Sequence, residues 1–297
     1  MSSTLETLER QISSGEDLSS IVRTMKALAA TSVRQYEKAA ESLDDYYHTV
    51  ELGLSVALAD WSEPPPSGRR GKTRPALLLV FGSDHGLAGR FNEQIVSYAL
   101  EEYWQESGNE PPAERLTAAI GEQVITRAAS AGIKPVAALH MPSSISAITP
   151  FIQELLEKIE AWRSEEGVEK VYLFYNRPRA GGFNPSAETL LPVDLQSLKK
   201  TRLEWQSRSL PTYTMAPGKL LSALLSQYFF VSLYRACALS LAAENISRLA
   251  AMQAAEKNID ERLAQLRTSF QQERQAAITE ELLDIISGFR AVRGRSG

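Results

Sequence analysis

The residues most suggestive of chemistry lie in a glycine-rich connection, Gly82–Arg90, between an apolar run and an amphipathic segment. A loop in this position can bind phosphate through its backbone N–H groups. Its glycines are spaced G-x-x-x-G-x-x-G, however, which is neither the dinucleotide-binding pattern nor the P-loop pattern. Ser83, Asp84 and His85 are triad residue types, but consecutive positions cannot adopt triad geometry within one turn. We therefore predict a tight turn in which the Asp84 carboxylate accepts hydrogen bonds from backbone amides.

Other reactive residue types do not form a site in the sequence. Glu280, Glu281 and Asp284 cluster near the end of the chain, but they have no histidine beside them and lie on a predicted exposed helix. Cys237 is the single cysteine, and its neighbours indicate a small packed residue rather than a reactive thiol. The three histidines are too scattered for a metal-binding motif. We predict no catalytic constellation, no metal and no cofactor.

Composition narrows the class of protein. The chain has 297 residues, 43% of them hydrophobic, and a formal net charge of −4, which is ordinary for a globular protein. This near balance of charge does not indicate nucleic-acid binding. The longest apolar stretch, Tyr228–Leu241, contains Arg235 and falls short of a membrane span. The first residues also lack the basic and apolar regions of a secretory signal.

Two long helical patterns lie at opposite ends of the chain. The segment Lys219–Gly288 contains no proline and no glycine before its last residue, and its apolar residues recur every three or four positions. A similar stripe runs from Leu5 to Trp61, with weak helix formers between Gly15 and Ser20 that could fray or break it. The proline-rich segment Glu63–Gly68 should end this first helix.

Strand and helix patterns alternate between the two long helices. Strands are predicted at 76–81, 116–120, 135–140 and 168–175, helices at 91–106, 123–131 and 151–162, and edge strands at 190–195 and 203–206. This alternation predicts a Rossmann-like α/β domain with a mainly parallel sheet. The expected organisation is an N-terminal helix (1–62), an α/β domain (75–207), a C-terminal helix (215–288) and a basic tail (289–297).

The order of these elements predicts how the terminal helices pair. An inserted domain that returns the chain close to where it left allows the two helices to form an antiparallel coiled coil. The C-terminal helix is the longer, and near its end Ile278, Leu282 and Ile285 shift by one position from the heptad spacing upstream. One end of this helix is therefore poorly covered by its own chain and needs a partner.

Four segments carry a resemblance to a known family. Arg274–Gly288 contains an Ile-Thr-x-Glu motif followed by an acidic residue and a glycine, and it resembles the signature of the F-type ATP synthase gamma subunit. Ile21–Ala30, Phe81–Asn92 and Ala243–Met252 resemble further family segments in the same order. The resemblance spans essentially the whole chain.

The resemblance implies a central shaft that is itself noncatalytic. Its paired helices would stand inside a ring of alpha and beta subunits, with its α/β domain against the epsilon subunit and the membrane-embedded c-ring, peripheral to the cytoplasmic face of a bacterial inner membrane. Rotation of the c-ring, driven by H⁺ or Na⁺, would then be coupled to ATP synthesis or hydrolysis. The family positions that contact the beta subunit correspond to Met25, Lys26, Arg248, Gln275 and Thr279.

The sequence also departs from the family pattern. Ala88 replaces a common cysteine, Arg90 a common glycine, and Phe289 a small residue. The first turns are acidic, and the tail carries three arginines where an apolar end is usual. These departures indicate a divergent member, and the alternative from a different class is a non-rotary coiled-coil adaptor with an α/β binding domain.

Overall fold

The N-terminal helical region consists of two helices rather than one. The computed structural model describes residues 2–59, 75–106, 115–194 and 212–293. Helix α1 is Ser2–Glu41 and helix α2 is Asp44–Ala59, so the prediction of one unbroken helix is wrong at Ser42 and Leu43. There the Leu43 amide donates to the Ala40 carbonyl three residues back, and the Ser42 hydroxyl donates to the Ala39 carbonyl. Hydrogen bonding by serine to its own backbone competes with regular helix geometry. The predicted end at Trp61 lies outside the described residues.

The glycine that looked like a weak point in α1 has a packing role. The helix is continuous through Gly15 and Ser20, contrary to the break considered above. A Cβ atom at Gly15 would lie 2.7 Å from Cδ2 of Leu263. The missing side chain therefore lets the leucine of the other long helix approach the α1 backbone closely, and this contact compensates for the lower helix propensity of glycine.

The C-terminal helix, α6, is Pro217–Arg293 and contains 77 residues. The chain divides into two compact units, here called the helical unit (Met1–Leu28 with Leu249–Gly297) and the α/β unit (Ala29–Arg248). In the helical unit, Glu16 pairs with Arg267 and Arg23 with Glu256, so residue numbers rise along one helix as they fall along the other. The predicted antiparallel pairing is thereby confirmed.

Antiparallel pairing also occurs between α2 and α6 in the α/β unit. Asp44 pairs with Arg235, and the Tyr46 hydroxyl donates to Gln227. An apolar cluster lies between these two helices, formed by Val50, Leu54, Ala57, Leu58 and Leu221.

The α/β unit contains one five-stranded sheet, and the predicted α/β class is confirmed. The strands are β1 (Ala76–Phe81), β2 (Arg115–Ile120), β3 (Ala137–Leu139), β4 (Lys170–Arg179) and β5 (Gly182–Leu191). Their order is β3-β2-β1-β4-β5, and only β5 is antiparallel to its neighbour. The helices of this unit that connect the strands are α3 (Phe91–Glu106), α4 (Glu122–Ser130) and α5 (Ile145–Glu165).

Two sequence predictions in this unit require correction. Of the edge strand predicted at 190–195, only Leu190 and Leu191 are strand, and they end β5, which begins at Gly182 and forms a hairpin with β4. Gly182 and Pro185 hid this strand, because both residues disfavour strand interiors, yet proline is tolerated at a sheet edge. Helix α5 begins at Ile145 and contains Pro150, whereas the prediction started it after that proline. The strand predicted at 203–206 lies outside the described residues.

The sheet is buried on both faces, as the apolar run of β1 predicted. Leu77, Leu79 and Phe81 of β1 face a cluster that includes α5 and the middle of α6, whereas Ala76, Leu78 and Val80 face α3 and α4. The α6 helix contains one stretch apolar enough by composition to cross a membrane, with mean hydropathy 1.2. Because Leu233, Ala236 and Leu241 of α6 are buried in the first cluster, core packing accounts for apolar residues in this helix.

Glycine at position 121 is required by a close approach between two loops. Its φ is +105°, and a Cβ atom there would lie 2.7 Å from the Ser83 amide nitrogen. We predict that Gly121→Ala lowers the free energy of unfolding by about 3 kcal/mol or more, because steric overlap adds to backbone strain. The matched control is Gly132→Ala, where φ is +76° and nothing lies within 4 Å of the new Cβ, so only about 1–2 kcal/mol of strain is expected. Urea denaturation of the two variants measures the difference, and equal losses would contradict the steric argument.

Candidate functional site

The turn after β1 is a structural clamp, as predicted for Asp84. The two oxygens of its carboxylate accept hydrogen bonds from the backbone amides of Glu122 and Met141, each at 3.1 Å. One side chain thus ties the end of β1 to the segments that follow β2 and β3. His140 Nδ1 lies 3.4 Å from the same carboxylate.

Ser83 is held in a way that does not suit a nucleophile. It is fully buried, its hydroxyl donates to the His85 carbonyl at 2.9 Å, and the same hydroxyl accepts from Asn92 Nδ2 at 2.8 Å. The Asn92 side-chain oxygen accepts from the Ser83 amide at 2.9 Å. These contacts shape the turn, and they agree with the prediction that consecutive Ser, Asp and His do not form a triad.

The same turn is fastened to helix α6. The Ser247 hydroxyl donates to the Ala88 carbonyl at 2.6 Å, and Ala88 itself is buried. Next to it, Leu87 has a φ of +64° and is 61% exposed. A non-glycine residue in this conformation is strained, so the hydrogen bonds on either side of Leu87 must hold the turn in place.

Arg248 is not the exposed polar residue that a helix surface would suggest. Its side chain is 17% exposed, and Nη2 lies 2.5 Å from Oε1 of Glu244, which is itself only 7% exposed. Nη1 lies 3.5 Å from the Asn245 side-chain oxygen. Burial raises the pKa of Glu244, and the charge and hydrogen bond of Arg248 oppose that rise. Sequence reasoning identified Arg248 but missed Glu244, although an acidic residue four positions before an arginine is a recognisable helix pair.

Met25 and Lys26 lie on α1 in the helical unit. Met25 is half-buried, and Lys26 Nζ lies 2.5 Å from Oε2 of Glu256. The Arg23 Nε lies 3.1 Å from Oε1 of the same carboxylate. Lys26 therefore forms an ion pair with α6. The sequence alone did not predict this pair, because its two residues are 230 positions apart. Leu18, Ile21 and Leu28 lie on the same face of α1 as Met25, at spacings of three, four and seven residues, and each is more than half exposed.

Gln275 and Thr279 lie one turn apart on α6 and are exposed. The Thr279 hydroxyl donates to the backbone carbonyl of Gln275 at 2.8 Å, and the Gln275 side chain is exposed to solvent. The apolar residues around them are 50–59% exposed, namely Ile278, Leu282, Leu283, Ile285 and Ile286. This set is called the distal stripe below. Polar groups set beside an uncovered apolar surface are typical of an interaction site.

The predicted site residues thus occupy three places in the structure. Met25 and Lys26 are adjacent on α1, Gln275 and Thr279 are adjacent on α6, and Arg248 lies in the α/β unit. Among the residues that the structure describes, no group of three or more His, Cys, Asp or Glu side chains is arranged to hold a metal ion. The chemistry available at these places is binding through charge, hydrogen bonds and apolar surface.

Solved structures with the same fold belong to rotary ATP synthases. One chain of the Euglena gracilis mitochondrial ATP synthase matches with a TM-score of 0.66 and 16% identity, over 100% of this chain and 97% of that chain. A chain from the rotor of the same enzyme in rotational state 1 matches with a TM-score of 0.61 and 15% identity, over 94% of this chain and 100% of that chain. At such low identity the likeness establishes the fold.

Sequence comparison establishes the family. A family model described as ATP synthase matches residues 4–292. The ATP synthase gamma chain of Thermobifida fusca is 29% identical over 100% of this chain and 99% of its own length. That of Moorella thermoacetica is 28% identical over 96% of this chain and 98% of its own length. The chain therefore belongs to the ATP synthase gamma-chain family.

The ion pairs of Glu256 make a pH-dependent contribution that can be measured. The hydrogen bond and charge of Lys26, followed by those of Arg23, lower the pKa of Glu256 below the usual 4.5. Because the folded pKa is lowered, the stabilisation is complete above pH 4.5 and is lost as the pH falls through the folded value. We predict that Glu256→Gln lowers Tm at pH 7 and that the difference from the unmodified protein disappears at acid pH.

A matched control for this prediction is Glu261→Gln on the same helix. Glu261 is paired only loosely, with Lys257 Nζ at 3.9 Å and both side chains more than 60% exposed. Its substitution should leave Tm unchanged at every pH. A Glu256→Gln difference that persisted unchanged at acid pH would show that the carboxylate charge is not responsible.

Proposed function

We propose that this chain is the central shaft of an F-type ATP synthase, coupling rotation to nucleotide chemistry carried out on other subunits. The observation that carries the proposal is the distal stripe, in which five large apolar side chains of α6 are at least half exposed. Fully burying a leucine or isoleucine contributes about 1.5–3 kcal/mol, and each half-exposed side chain of the stripe forgoes part of that free energy. Selection retains such a surface where a partner covers it.

The form of the stripe favours a surrounding partner over a flat one. Ile278, Leu282 and Ile285 point to one side of the helix, whereas Leu283 and Ile286 lie about 100° further around it. The apolar surface thus covers a wide arc of α6, which a ring of subunits could enclose. A non-rotary adaptor is not favoured by any of these features, and membership of the gamma-chain family argues for the shaft.

The partners follow from the family resemblance. We assign the catalytic ring to alpha and beta subunits, and the foot of the shaft to the epsilon subunit and the c-ring. The relatives named above are ATP synthase gamma chains of bacteria, which supports a position at the cytoplasmic face of the inner membrane, held there through the c-ring. The coupled ion, H⁺ or Na⁺, is bound by other subunits, so this chain would serve either ion.

Coupling requires contacts whose strength depends on the angle of the shaft. We propose that Met25, Lys26, Arg248, Gln275 and Thr279 make such contacts with the beta subunit. Arg248 and Lys26 supply cations suited to partner carboxylates. Gln275 and Thr279 supply neutral hydrogen-bonding groups beside the apolar distal stripe, where they would fix the position of a partner that the stripe attracts.

The first test addresses the distal stripe. In the ATP synthase complex purified through a tag on this chain, Ile278→Ser with Leu282→Ser should reduce the retained alpha and beta subunits several-fold. The two side chains are at least half exposed, so the Tm of the isolated chain should stay the same. Gln271→Ser, at an exposed position on the same helix, is the control and should retain the ring. Undiminished retention by the double variant would refute the assignment of the stripe.

The second test addresses the polar pair. Gln275→Ala with Thr279→Ala should lower ATP-driven ion pumping per ATP hydrolysed, by a factor of about thirty if each residue contributes a neutral hydrogen bond of about 1 kcal/mol. Both residues are exposed, and the hydrogen bond of Thr279 Oγ1 to the Gln275 carbonyl is local to one helical turn, so chain stability should change by less than about 0.5 kcal/mol. An unchanged pumping ratio in a fully assembled complex would remove both residues from the coupling site.

A further inference from the structure

A small polar cavity adjoins Arg248 in the α/β unit. Its volume is about 230 Å³, and its walls include Asp84 and His85 after β1, Met141 after β3, Tyr36 of α1, and Glu244 and Arg248 of α6. Pockets that enclose small organic ligands usually measure about 300–1,000 Å³. The size of this cavity therefore suits a single side chain from a partner better than a nucleotide or another cofactor.

The guanidinium of Arg248 is only partly occupied by its own chain. Of its five N–H donors, the hydrogen bonds to Glu244 and Asn245 use one on each terminal nitrogen. Among the described residues these are its only acceptors, so three N–H donors of a side chain that lines the cavity have no acceptor within the chain. A carboxylate is the acceptor that best matches two neighbouring donors of an arginine.

We propose that Glu244 is a positioning residue: it holds the Arg248 guanidinium at this cavity, where the guanidinium binds a carboxylate side chain of the surrounding beta subunit. This inference rests on the proposed shaft function and adds a residue to it. Glu244 is 7% exposed and lies one helical turn before Arg248, so its carboxylate is fixed by the fold and cannot follow a moving partner.

Fixing the guanidinium matters because arginine is long and has many rotamers. Ordering such a side chain only when the partner arrives costs about 0.5–1.5 kcal/mol. Because the buried carboxylate of Glu244 orders the Arg248 side chain during folding, no further ordering is needed when the partner arrives. The contact between Arg248 and the partner carboxylate can then form and break quickly as the shaft turns. Asn245, whose side-chain oxygen lies 3.5 Å from Nη1, is too distant to hold the group alone.

The charge on Glu244 also gives the arrangement a pH dependence. Burial raises its pKa, Arg248 and His85 oppose the rise, and Asp84 adds to it; Tyr36 and Cys237 face the same carboxylate and have raised pKa values of their own. Glu244 therefore takes up a proton at a higher pH than an ordinary glutamate. As the pH falls through that value, the hold on Arg248 weakens.

The experiment is a double-mutant cycle in the assembled complex. Glu244→Gln, Arg248→Gln and the double variant are compared for ATP-driven ion pumping per ATP hydrolysed. We expect Glu244→Gln to lower this ratio by about three- to tenfold, Arg248→Gln by at least as much, and the double variant no further than Arg248→Gln alone. Glu261→Gln, a change of the same kind in an exposed pair of the same helix, should have no effect.

The pattern of results separates the inference from the function on which it rests. A normal ratio in Glu244→Gln together with a low ratio in Arg248→Gln overturns the positioning role alone. A normal ratio in assembled Arg248→Gln overturns the proposed contact of Arg248. Equal losses from Glu244→Gln with and without Arg248 show that Glu244 acts independently and also overturn the inference.

A pH profile of the pumping ratio provides a readout that a purely structural role would not change. The unmodified complex should lose coupling as the pH falls, and Glu244→Gln and Arg248→Gln should not show that transition. If Glu244→Gln does not assemble, the double variant replaces it, because it leaves no unpaired buried charge. Comparing the unmodified complex with Arg248→Gln and with the double variant then tests the positioning role. The same transition in all assembled complexes would overturn the positioning role.

Discussion

A 77-residue helix cannot cover its own apolar residues, and the rest of the structure is an answer to that constraint. Different stretches of α6 are covered in different ways. Leu263 packs against Gly15 of α1, Leu221 packs with Leu54 of α2, and Leu233 is buried against the sheet. Among the described residues of α6, the large apolar side chains that remain at least half exposed are those of the distal stripe. The fold is thus complete for one part of the helix and incomplete for another, which is what a subunit designed for assembly requires.

The ion pairs of α6 also differ between the helical unit and the α/β unit. In the helical unit, the ion pairs of Glu256 and Glu16 link α1 to α6 and fix the register of the two helices. The exposed Glu16–Arg267 pair contributes little to stability and the less exposed pairs of Glu256 contribute more, but both disfavour wrong registers. In the α/β unit, Glu244 and Arg248 are both largely buried. A buried pair costs desolvation free energy that it need not repay in stability, so stability alone does not account for it, which fits the binding role proposed above.

Much of this architecture could be predicted from the sequence, because strong local patterns decided it. The long stretch without proline or glycine predicted most of α6, although the helix also includes Pro217, Gly218 and Gly288 and continues to Arg293, and the apolar run of β1 identified a strand buried on both faces. The role of Asp84 followed from its position in a tight turn. Family motifs identified the candidate contacts, among which Gln275 and Thr279 are exposed side by side.

The failures arose where tertiary packing outweighed local preference. Gly15 has a low helix propensity, but its packing against Leu263 favours the helix. Pro185 disfavours a strand, but it is tolerated in β5 because this strand lies at the edge of the sheet. The break at Ser42 and Leu43 interrupts an apolar pattern that continues on both sides of it, so the pattern gave no sign of it. The burial of Arg248 could not be predicted, because it depends on how the turn after β1 and the segment after β3 approach α6.

The single cysteine has a practical consequence. Cys237 is fully buried, and burial raises the pKa of its thiol, so maleimides and other thiol reagents should leave it untouched in the folded protein. A fluorophore or a gold particle could then be attached at one engineered surface cysteine without removing the native one. The chain is thereby ready for single-molecule observation, in which the angle of the shaft would be followed directly against time.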